Sequence, residues 1–425
     1  MQQTRFDNIG ETMYSAELAN GLRLRVFPKP GFAAAYAVFA TCYGGAHRRF
    51  SVEGTMTDTP AGVAHFLEHK MFDLPGGDNA LNILSANGAD PNAFTSSGMT
   101  AYYFQCTEKF EENLRMLLHF VSTPYFTAET VQKEQGIIAQ EIRMGEDDPG
   151  TALYYGLLRM LYAHHPIRDR VAGTVESIAE ITEQTLYDCH KTFYAPSNMT
   201  LCVEGDVDPE RVLAIAEEIL PAERAPIPAA DFGPEESLLP LQQRLELEMP
   251  VSAPQFLIGA KLKAEPEGPA ALRQRLVSTL ALRTLLGSSS PFYTGLYARG
   301  LLNRDYDYEA DFTAGTGTVI IGGESADPEQ VFAALQETLS ELRQKGLDET
   351  RFLRAKRASL GSRLRGLEDF ENVCLATATG VFEGYCALDA LAVLGTIERA
   401  ECEAFLTEAL APERLALAVM RSKGG

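Results

Sequence analysis

The sequence lacks the features of several protein classes. Its 7 cysteines are an odd number and include no CxxC pair, and most lie beside apolar residues, as the reduced thiols of a cytoplasmic protein do. No apolar run is long enough to span a membrane. The N-terminus has no basic start followed by an apolar stretch, so a signal peptide is not indicated. These observations predict a cytoplasmic protein with no membrane partner.

Positive charge is also scarce. The 37 lysines and arginines stand against 58 aspartates and glutamates, which gives a net charge of −21 and a pI of about 4.8. Such a surface repels phosphate groups, so we expect no nucleic acid partner. An acidic cleft would attract basic peptides, although solubility alone also explains the charge.

The rest of the composition is that of a globular protein made of two related parts. Hydrophobic residues make up 45% of the chain, enough for a sizeable core. A proline-rich stretch around residues 220–243 indicates a linker. Segments that begin at Ile181 and Ile397, 216 positions apart, share a helix–proline–strand pattern, which indicates two diverged copies. We predict domains at residues 1–225 and 241–425, joined by a linker at 226–240.

The local patterns predict the fold class. Segments such as LRLRVFPKP and MTAYYFQC are rich in β-branched and aromatic residues and end in turn residues, which is typical of strands. Segments such as KFEENLRMLLHFV have apolar residues at helical spacing. Strands grouped before helices predict an α+β fold: two homologous domains, each a mainly antiparallel sheet with helices packed on one face.

One short segment carries a pattern typical of metal sites. Only 7 histidines occur in the chain, yet His65 and His69 lie four positions apart with Glu68 between them. Thr59 and Pro60 predict the start of a helix, as N-cap and first helical residue. This helix brings the two histidines and Glu68 within an arc of about 100°.

Two imidazoles at this spacing can hold a zinc ion, and a carboxylate beside them can act as a general base. A catalytic zinc also needs a third protein ligand. A chance HxxEH is the alternative explanation, so a partner segment matters. Glu134 and Glu141 lie seven positions apart, two helical turns, on nearly one face of a second predicted helix. A solvated glutamate face is the alternative explanation there.

At this point the sequence resembles the family of insulinase, pitrilysin and the mitochondrial processing peptidase. HFLEH matches the inverted zinc signature of the inverzincins, and the glutamate pair follows it at the family's spacing. The resemblance covers nearly the whole chain and is greatest to the short bacterial members, which carry two homologous domains. It rests on the segments AHFLEHKMF, NAFTSSGMTAYYF, KEQGIIAQEI, AGTVESI and YAPSNM.

The resemblance implies a role for each site residue. His65, His69 and Glu141 match the three ligands of one zinc ion per chain. Glu68 matches the general base, and Glu134 matches a second glutamate that supports activity.

The resemblance also implies a substrate-binding strand. The segment PNAFTSSGMTAYYF matches the strand that pairs with the substrate backbone, which implicates Asn92, Ala93 and Phe94. An edge strand recognises an extended peptide through main-chain hydrogen bonds, so it selects unfolded chains with a loose sequence preference. Ordinary core packing is an equal alternative for Phe94.

One family feature is missing. In many relatives the second domain supplies an arginine and a tyrosine, seven positions apart, that hold the substrate. Here Tyr297 stands in the arginine's place, and the tyrosine's place falls near Asn303 or Arg304. This departure predicts a heterodimer in which a homologous zinc-free chain supplies the pair, with a homodimer as the alternative.

The second copy also lacks the metal-binding residues. Upstream of the segments that indicate the two copies, the repeat offset is larger, near 219, and there Arg354 and Gly361 stand about where the first copy has Glu134 and Glu141. The sequence thus predicts a cytoplasmic zinc metalloendopeptidase for small or unfolded peptides, acting as one subunit of a dimer. A non-catalytic scaffold or peptide-binding subunit of the same fold is the main alternative. A peptide-modification enzyme is a third possibility.

Overall fold

The computed structural model describes residues 1–265 and 267–423. Its strands are β1 Gln2–Phe6, β2 Glu11–Glu17, β3 Arg23–Pro28, β4 Ala35–Thr41, β5 Arg49–Val52, β6 Thr55–Asp58, β7 Ala89–Thr95, β8 Thr100–Cys106, β9 Met199–Gly205, β10 Ala229–Ala230, β11 Arg244–Met249, β12 Gln255–Leu262, β13 Asp307–Thr313, β14 Thr316–Glu324 and β15 Ala416–Ser422.

Its helices are α1 Val63–Met71, α2 Ala80–Ala86, α3 Phe110–Ser122, α4 Ala128–Glu146, α5 Pro149–Leu161, α6 Val175–Ala179, α7 Glu183–Phe193, α8 Pro209–Ile219, α9 Pro269–Leu286, α10 Pro291–Ala298, α11 Pro328–Lys345, α12 Glu349–Gly366, α13 Phe370–Phe382, α14 Ala390–Thr396 and α15 Arg399–Ala409. Short 3₁₀ turns lie between several of them.

The chain forms two compact units, and each is discontinuous in sequence. Unit 1 comprises Met1–Ile142, Arg170–Phe232 and Leu364–Leu388. Unit 2 comprises Arg143–Asp169, Gly233–Arg363 and the residues from Asp389 onward. Helix α13, from the second half of the sequence, therefore belongs to unit 1, and helix α5, from the first half, belongs to unit 2.

The sheet of unit 1 has the strand order β1-β2-β3-β9-β4-β8-β7. Its strand pairs are antiparallel except for β3 with β9, which is parallel. All seven residues of β4 are buried, which requires cover on both faces because side chains alternate along a strand. Ala37 and Phe39 pack into the main core of unit 1, whereas Tyr36, Val38 and Ala40 pack on the opposite face.

Helix α13 covers this opposite face. Its buried residues Cys374 and Ala378 lie in one cluster with Tyr36, Val38 and Ala40. The prediction of helices on one face is therefore incomplete for unit 1. The sequence pattern did not reveal this because the covering helix comes from the other half of the chain.

The sheet of unit 2 repeats the arrangement. Its order is β11-β15-β12-β14-β13, with β11 and β15 parallel and the other pairs antiparallel. Position for position, this order matches β3-β9-β4-β8-β7. Helix α5 packs on alternate residues of β15, namely Ala416, Ala418 and Met420, while the intervening Leu417 and Val419 are buried as well. The predicted α+β class with two homologous, mainly antiparallel sheet domains is thus confirmed.

The predicted linker contains a short strand. Ala229 and Ala230 pair with Ser51 and Phe50 of β5, beside the β5–β6 hairpin. The change from unit 1 to unit 2 falls between Phe232 and Gly233, within that stretch. The limits predicted for the two sequence copies, 1–225 and 241–425, stay a prediction.

Among the described residues, no single helix is both long and apolar enough to cross a membrane. The pair Phe370–Phe382 and Ala387–Thr396 meets the length and composition criteria together but is bent by 108°.

Candidate metal and peptide site

Helix α1 carries the HxxEH segment, and it begins later than the sequence suggests. Gly62, with φ 97°, is the residue before the first helical turn. A Cβ on Gly62 would lie 2.6 Å from the carbonyl oxygen of Ala172, so only glycine fits there. Thr59 does not cap the helix, because the cap position is Gly62, three residues later. The Thr59 hydroxyl donates to the carbonyl oxygen of Arg48 at 3.1 Å. The prediction that Thr59 and Pro60 start the helix was therefore wrong.

One face of α1 is packed and the other carries the polar residues. Phe66, Leu67 and Met71 are buried in the core of unit 1. His65 and His69 lie on the other face, with their ring centroids 4.6 Å apart. This is the arrangement expected from the 3.6-residue period of a helix.

Helix α4 brings a carboxylate to the two imidazoles. Nε2 of His65 lies 3.4 Å from Oε1 of Glu141, and Nε2 of His69 lies 3.6 Å from Oε2 of the same residue. One ligand atom from each of these three residues lies within 4.8 Å of the other two. Among the described residues, no other group of three or more His, Cys, Asp or Glu side chains meets this criterion.

Glu134 contacts the far side of the His69 ring. Its Oε1 is 2.9 Å from Nδ1 of His69, while Nε2 of His69 is the atom that faces Glu141. A carboxylate on the second ring nitrogen fixes the tautomer and orientation of a metal-binding histidine. This contact gives Glu134 a specific physical task, which its place in the sequence did not define.

The electrostatics favour positive charge at this point. Burial alone would lower the pKa of His69. The hydrogen bond to Glu134 and the negative charges of Glu134, Glu68 and Glu141 raise this pKa by more than burial lowers it, so it lies above the ordinary value. Contact with His65 holds the pKa of Glu141 below its ordinary value, against the effect of burial. A divalent cation supplies the positive charge that these carboxylates favour.

The donor set fits zinc. Two imidazole nitrogens and one carboxylate oxygen are typical protein ligands of a catalytic zinc, with bonds of about 2.0 to 2.2 Å and one position left open. Nδ1 of His65 is buried without a hydrogen-bond partner among the described residues, while Nδ1 of His69 is held by Glu134. Both Nε2 atoms face Glu141, so all three donors point at one location.

Glu68 lies beside these ligands and is held by a residue that the sequence did not single out. The hydroxyl of Thr95 donates to Oε2 of Glu68 at 2.6 Å. Thr95 is the last residue of β7, so the contact depends on how the sheet packs against α1. The only sequence signal is the position of Thr95 directly after Asn92, Ala93 and Phe94, the residues implicated in substrate binding.

Strand β7 lies at the edge of its sheet, next to β8. Asn92, Ala93 and Phe94 pair with Tyr103, Tyr102 and Ala101 of β8 on one side. Ala93 packs toward the main core, while Phe94 packs on the opposite face, near Tyr103. Both explanations of Phe94 therefore remain compatible with its place: its ring packs, and its backbone belongs to the edge strand.

A single segment touches both helices that carry the ligands. The hydroxyl of Ser177 donates to the carbonyl oxygen of Ala61, at the start of α1, at 2.8 Å. The amide nitrogen of Gln135, on α4, donates to the carbonyl oxygens of Ile178 and Ile181 at 3.2 and 3.0 Å. This segment includes the AGTVESI motif and ties α1 to α4.

Four residues of unit 2 are a buried histidine and the residues at or near the places of the missing arginine and tyrosine. His165 is buried and its Nε2 lies 3.0 Å from the carbonyl oxygen of Ala314. In unit 2, Tyr297 is half exposed on α10 and lies beside Tyr293. Asn303 and Arg304 follow α10 in the turn before β13.

Comparison with known proteins identifies the family of the segment that carries this candidate site. A family model described as "Insulinase (Peptidase family M16)" matches residues 52–175, which include every predicted site residue. A second, described as "Peptidase M16 inactive domain", matches residues 180–359.

Relatives that cover nearly the whole chain, and solved structures, indicate the same family and fold. A Bacillus subtilis (strain 168) protein named "uncharacterized zinc protease YmfH" is 37% identical over 419 residues, which cover 96% of each chain. A crystal structure of an M16-like protein from Alicyclobacillus acidocaldarius superposes with a TM-score of 0.94 at 33% identity, over 97% of this chain and 99% of the other. A structure named for the peptidase M16 inactive domain, from Pseudomonas fluorescens, shares the fold with a TM-score of 0.80 at 16% identity, over 97% and 98% of the two chains. From its site segment, its full-length relatives and its fold, the chain belongs to the M16 peptidase family, the family of insulinase.

Proposed function

We propose that the chain is a zinc-dependent endopeptidase that hydrolyses small or unfolded peptides. The observation that carries the proposal is the convergence of His65, His69 and Glu141 on one location, with the Glu68 carboxylate near enough to act on His69. A scaffold has no need for two imidazoles and a carboxylate turned toward one another.

Each side chain of the site has its own role in the proposed reaction. Zinc held by His65, His69 and Glu141 would polarise the scissile carbonyl and lower the pKa of the attacking water. Glu68 takes the proton that the water loses and passes it to the leaving amine. Glu134 keeps the His69 ring oriented through Nδ1.

The edge of β7 is the proposed binding surface for the peptide backbone. The backbone groups of Asn92, Ala93 and Phe94 on the edge away from β8 would pair with an extended substrate. Because a folded protein rarely offers an extended, unpaired segment, this mode favours small or unfolded peptides.

The proposal includes a partner subunit and a location. The arginine and tyrosine of many relatives are not at the expected places, where Tyr297, Asn303 and Arg304 stand, so a homologous zinc-free chain is proposed to supply them. A homodimer is the alternative. We propose a cytoplasmic location, because the 7 cysteines are an odd number without a CxxC pair and most lie beside apolar residues, as reduced core thiols do.

The test is the Glu68→Gln variant, with Glu129→Gln on the exposed start of α4 as its control. We expect both variants to retain one zinc per chain, measured by metal analysis. Only Glu68→Gln should lose the cleavage of a quenched fluorescent peptide, and a chelator should stop cleavage by the wild type. Cleavage by Glu68→Gln at the wild-type rate would refute the role of the base.

A non-catalytic subunit is the second candidate. It is favoured by the description "inactive domain" for the model that matches residues 180–359, although that stretch contains none of the proposed ligands. Zinc-loaded protein that binds the peptide but does not cleave it, even with a co-purified homologous chain, would favour this candidate. Full activity of the isolated chain would count against the heterodimer.

A further inference from the structure

The hydrogen bond between Thr95 and Glu68 joins the proposed base to the proposed substrate strand. Thr95 Oγ1 lies 2.6 Å from Glu68 Oε2. Among the described residues, this is the only hydrogen bond that the Glu68 carboxylate accepts. Oε2 is therefore held, and Oε1 is the oxygen left to take a proton.

The hydroxyl of Thr95 has a defined donor direction. Within the described part of the chain, its one other side-chain hydrogen-bonding contact is Oγ1 of Thr100, at 3.2 Å. The Thr100 hydroxyl has one hydrogen and donates it to the carbonyl oxygen of Tyr43 at 2.8 Å. The single hydrogen of Thr95 is thus directed to the carboxylate, which is the closer and more strongly attracting acceptor.

The position of Thr95 is fixed by its surroundings. The turn that follows it is closed by a hydrogen bond from Ser96 N to Met99 O at 2.8 Å. The backbone N–H of Gly45 donates to Ser96 O at 2.9 Å. A Cβ on Gly44 would collide with the backbone of this turn, so the glycine allows the close approach.

We propose that Thr95 is a positioning residue for Glu68. It holds Oε2 so that Oε1 accepts the proton from the attacking water, and it sets the carboxylate in register with β7. The inference rests on the proposed function and deepens it. Thr95 follows Phe94 directly, so a peptide paired with β7 and the base that serves it are placed by one strand.

The alternation of side chains along β7 explains why a threonine suits this position. Side chains alternate along a strand, so Ala93 and Thr95 point to the face that carries α1, while Phe94 points to the other. A hydroxyl on the last residue of β7 therefore reaches Glu68, whereas one at the neighbouring Phe94 position would not.

The test compares Thr95→Val, which removes the hydroxyl, with Thr95→Ser, which keeps it. Thr57→Val, on the exposed strand β6, is the matched control. The zinc-loaded protein, with any homologous chain that co-purifies, is assayed on a quenched fluorescent peptide. We expect Thr95→Val to lower kcat by about 10- to 100-fold, with KM, zinc content and melting temperature unchanged. Thr95→Ser and the control should stay close to wild type.

A binding measurement separates positioning from a structural role. The affinity for the same peptide is compared between Glu68→Gln and the double variant Glu68→Gln/Thr95→Val. Equal affinities support the proposal, because Thr95 then acts through the base alone. Weaker binding by the double variant would mean that Thr95 acts through the strand, and would overturn it. Wild-type kcat in Thr95→Val, or a Thr95→Ser kcat as low as that of Thr95→Val, would also overturn it.

If the proposed function itself is wrong, the assays give a different result: the zinc-loaded wild type cleaves no peptide under any of these conditions. Crystal structures of the wild type and Thr95→Val then decide the contact by itself. A displaced Glu68 carboxylate in the variant upholds the positioning role, and an unmoved one overturns it.

Discussion

We predict that a buried carboxyl group in unit 1 makes the stability of the protein depend on pH. Glu204, on β9, is fully buried, and its Oε1 lies 3.3 Å from Nζ of Lys29. The same ammonium lies closer, at 2.6 Å, to Glu11. Burial raises the pKa of Glu204 to about 8, although Lys29 opposes the change, and Glu11 and Asp369 add to it. The single positive charge of Lys29 thus compensates only one of the two carboxylates. We expect Glu204 to be the one that is protonated.

The sign and size of this pH dependence follow from the difference in the pKa of Glu204 between the folded and unfolded protein. The pKa of Glu204 in the folded protein is raised above its ordinary value of 4.5. The stabilisation by protonated Glu204 is therefore complete below about pH 4.5 and is lost as the pH rises through about 8. A pKa that differs by one between the folded and unfolded protein corresponds to about 1.4 kcal/mol, so roughly 3 to 5 kcal/mol would be lost between pH 5 and pH 9. That is a large part of the roughly 5 to 15 kcal/mol that stabilises a typical protein.

The assay is urea denaturation of the wild type and Glu204→Gln at pH 5 and pH 9. The uncharged glutamine cannot lose a proton, so the variant should gain stability relative to wild type by roughly 3 to 5 kcal/mol on going from the lower to the higher pH. Glu112→Gln, on the exposed face of α3, should show no such change. An equal difference between wild type and Glu204→Gln at both pH values would refute the reasoning, because Glu204 would then be ionised throughout as the partner of Lys29.

Three further perturbations test other contacts. Glu134→Gln should weaken zinc binding by about 10- to 100-fold in chelator competition, because a neutral amide holds Nδ1 of His69 less strongly. Gln135→Leu should also weaken it, since Gln135 links α4 to the segment that contacts α1, whereas Lys133→Ala on the same helix should not. Glu236→Gln should speed proteolysis of the segment after residue 232, because the Glu236 carboxylate accepts three backbone N–H groups at residues 163–165. The exposed neighbour Glu235→Gln should leave proteolysis unchanged.

The sequence was most informative where a single helix sets the geometry. The spacing of His65, Glu68 and His69 fixes their common face, since a helix places residues four apart one above the other. The approach of Glu141 is a long-range contact between two helices. Its prediction came from the family resemblance, because helical periodicity alone places Glu141 on a face but does not say what that face meets.

The sequence patterns did not predict the contacts between separate helices and strands. The hydrogen bond from Thr95 to Glu68 depends on strand register and on the packing of α1 against the sheet. The start of α1 was misplaced for a similar reason. Thr59 and Pro60 have the right local chemistry, but a tertiary contact at Gly62 with Ala172 decides where the helix begins.

The two copies share a sheet pattern but differ in the residues of the candidate metal site. All histidines lie before residue 191, so the second copy cannot form an HxxEH site, and the exposed Arg354 stands where the first has Glu134. The second half of the sequence nevertheless completes unit 1, because α13 covers Tyr36, Val38 and Ala40 of β4. Strand β4 pairs with β8, and β8 pairs with β7, the strand that ends in Thr95. Residues 1–225 alone would leave that face of β4 exposed to water, so the unit that carries the candidate metal site requires a helix from the second half of the sequence.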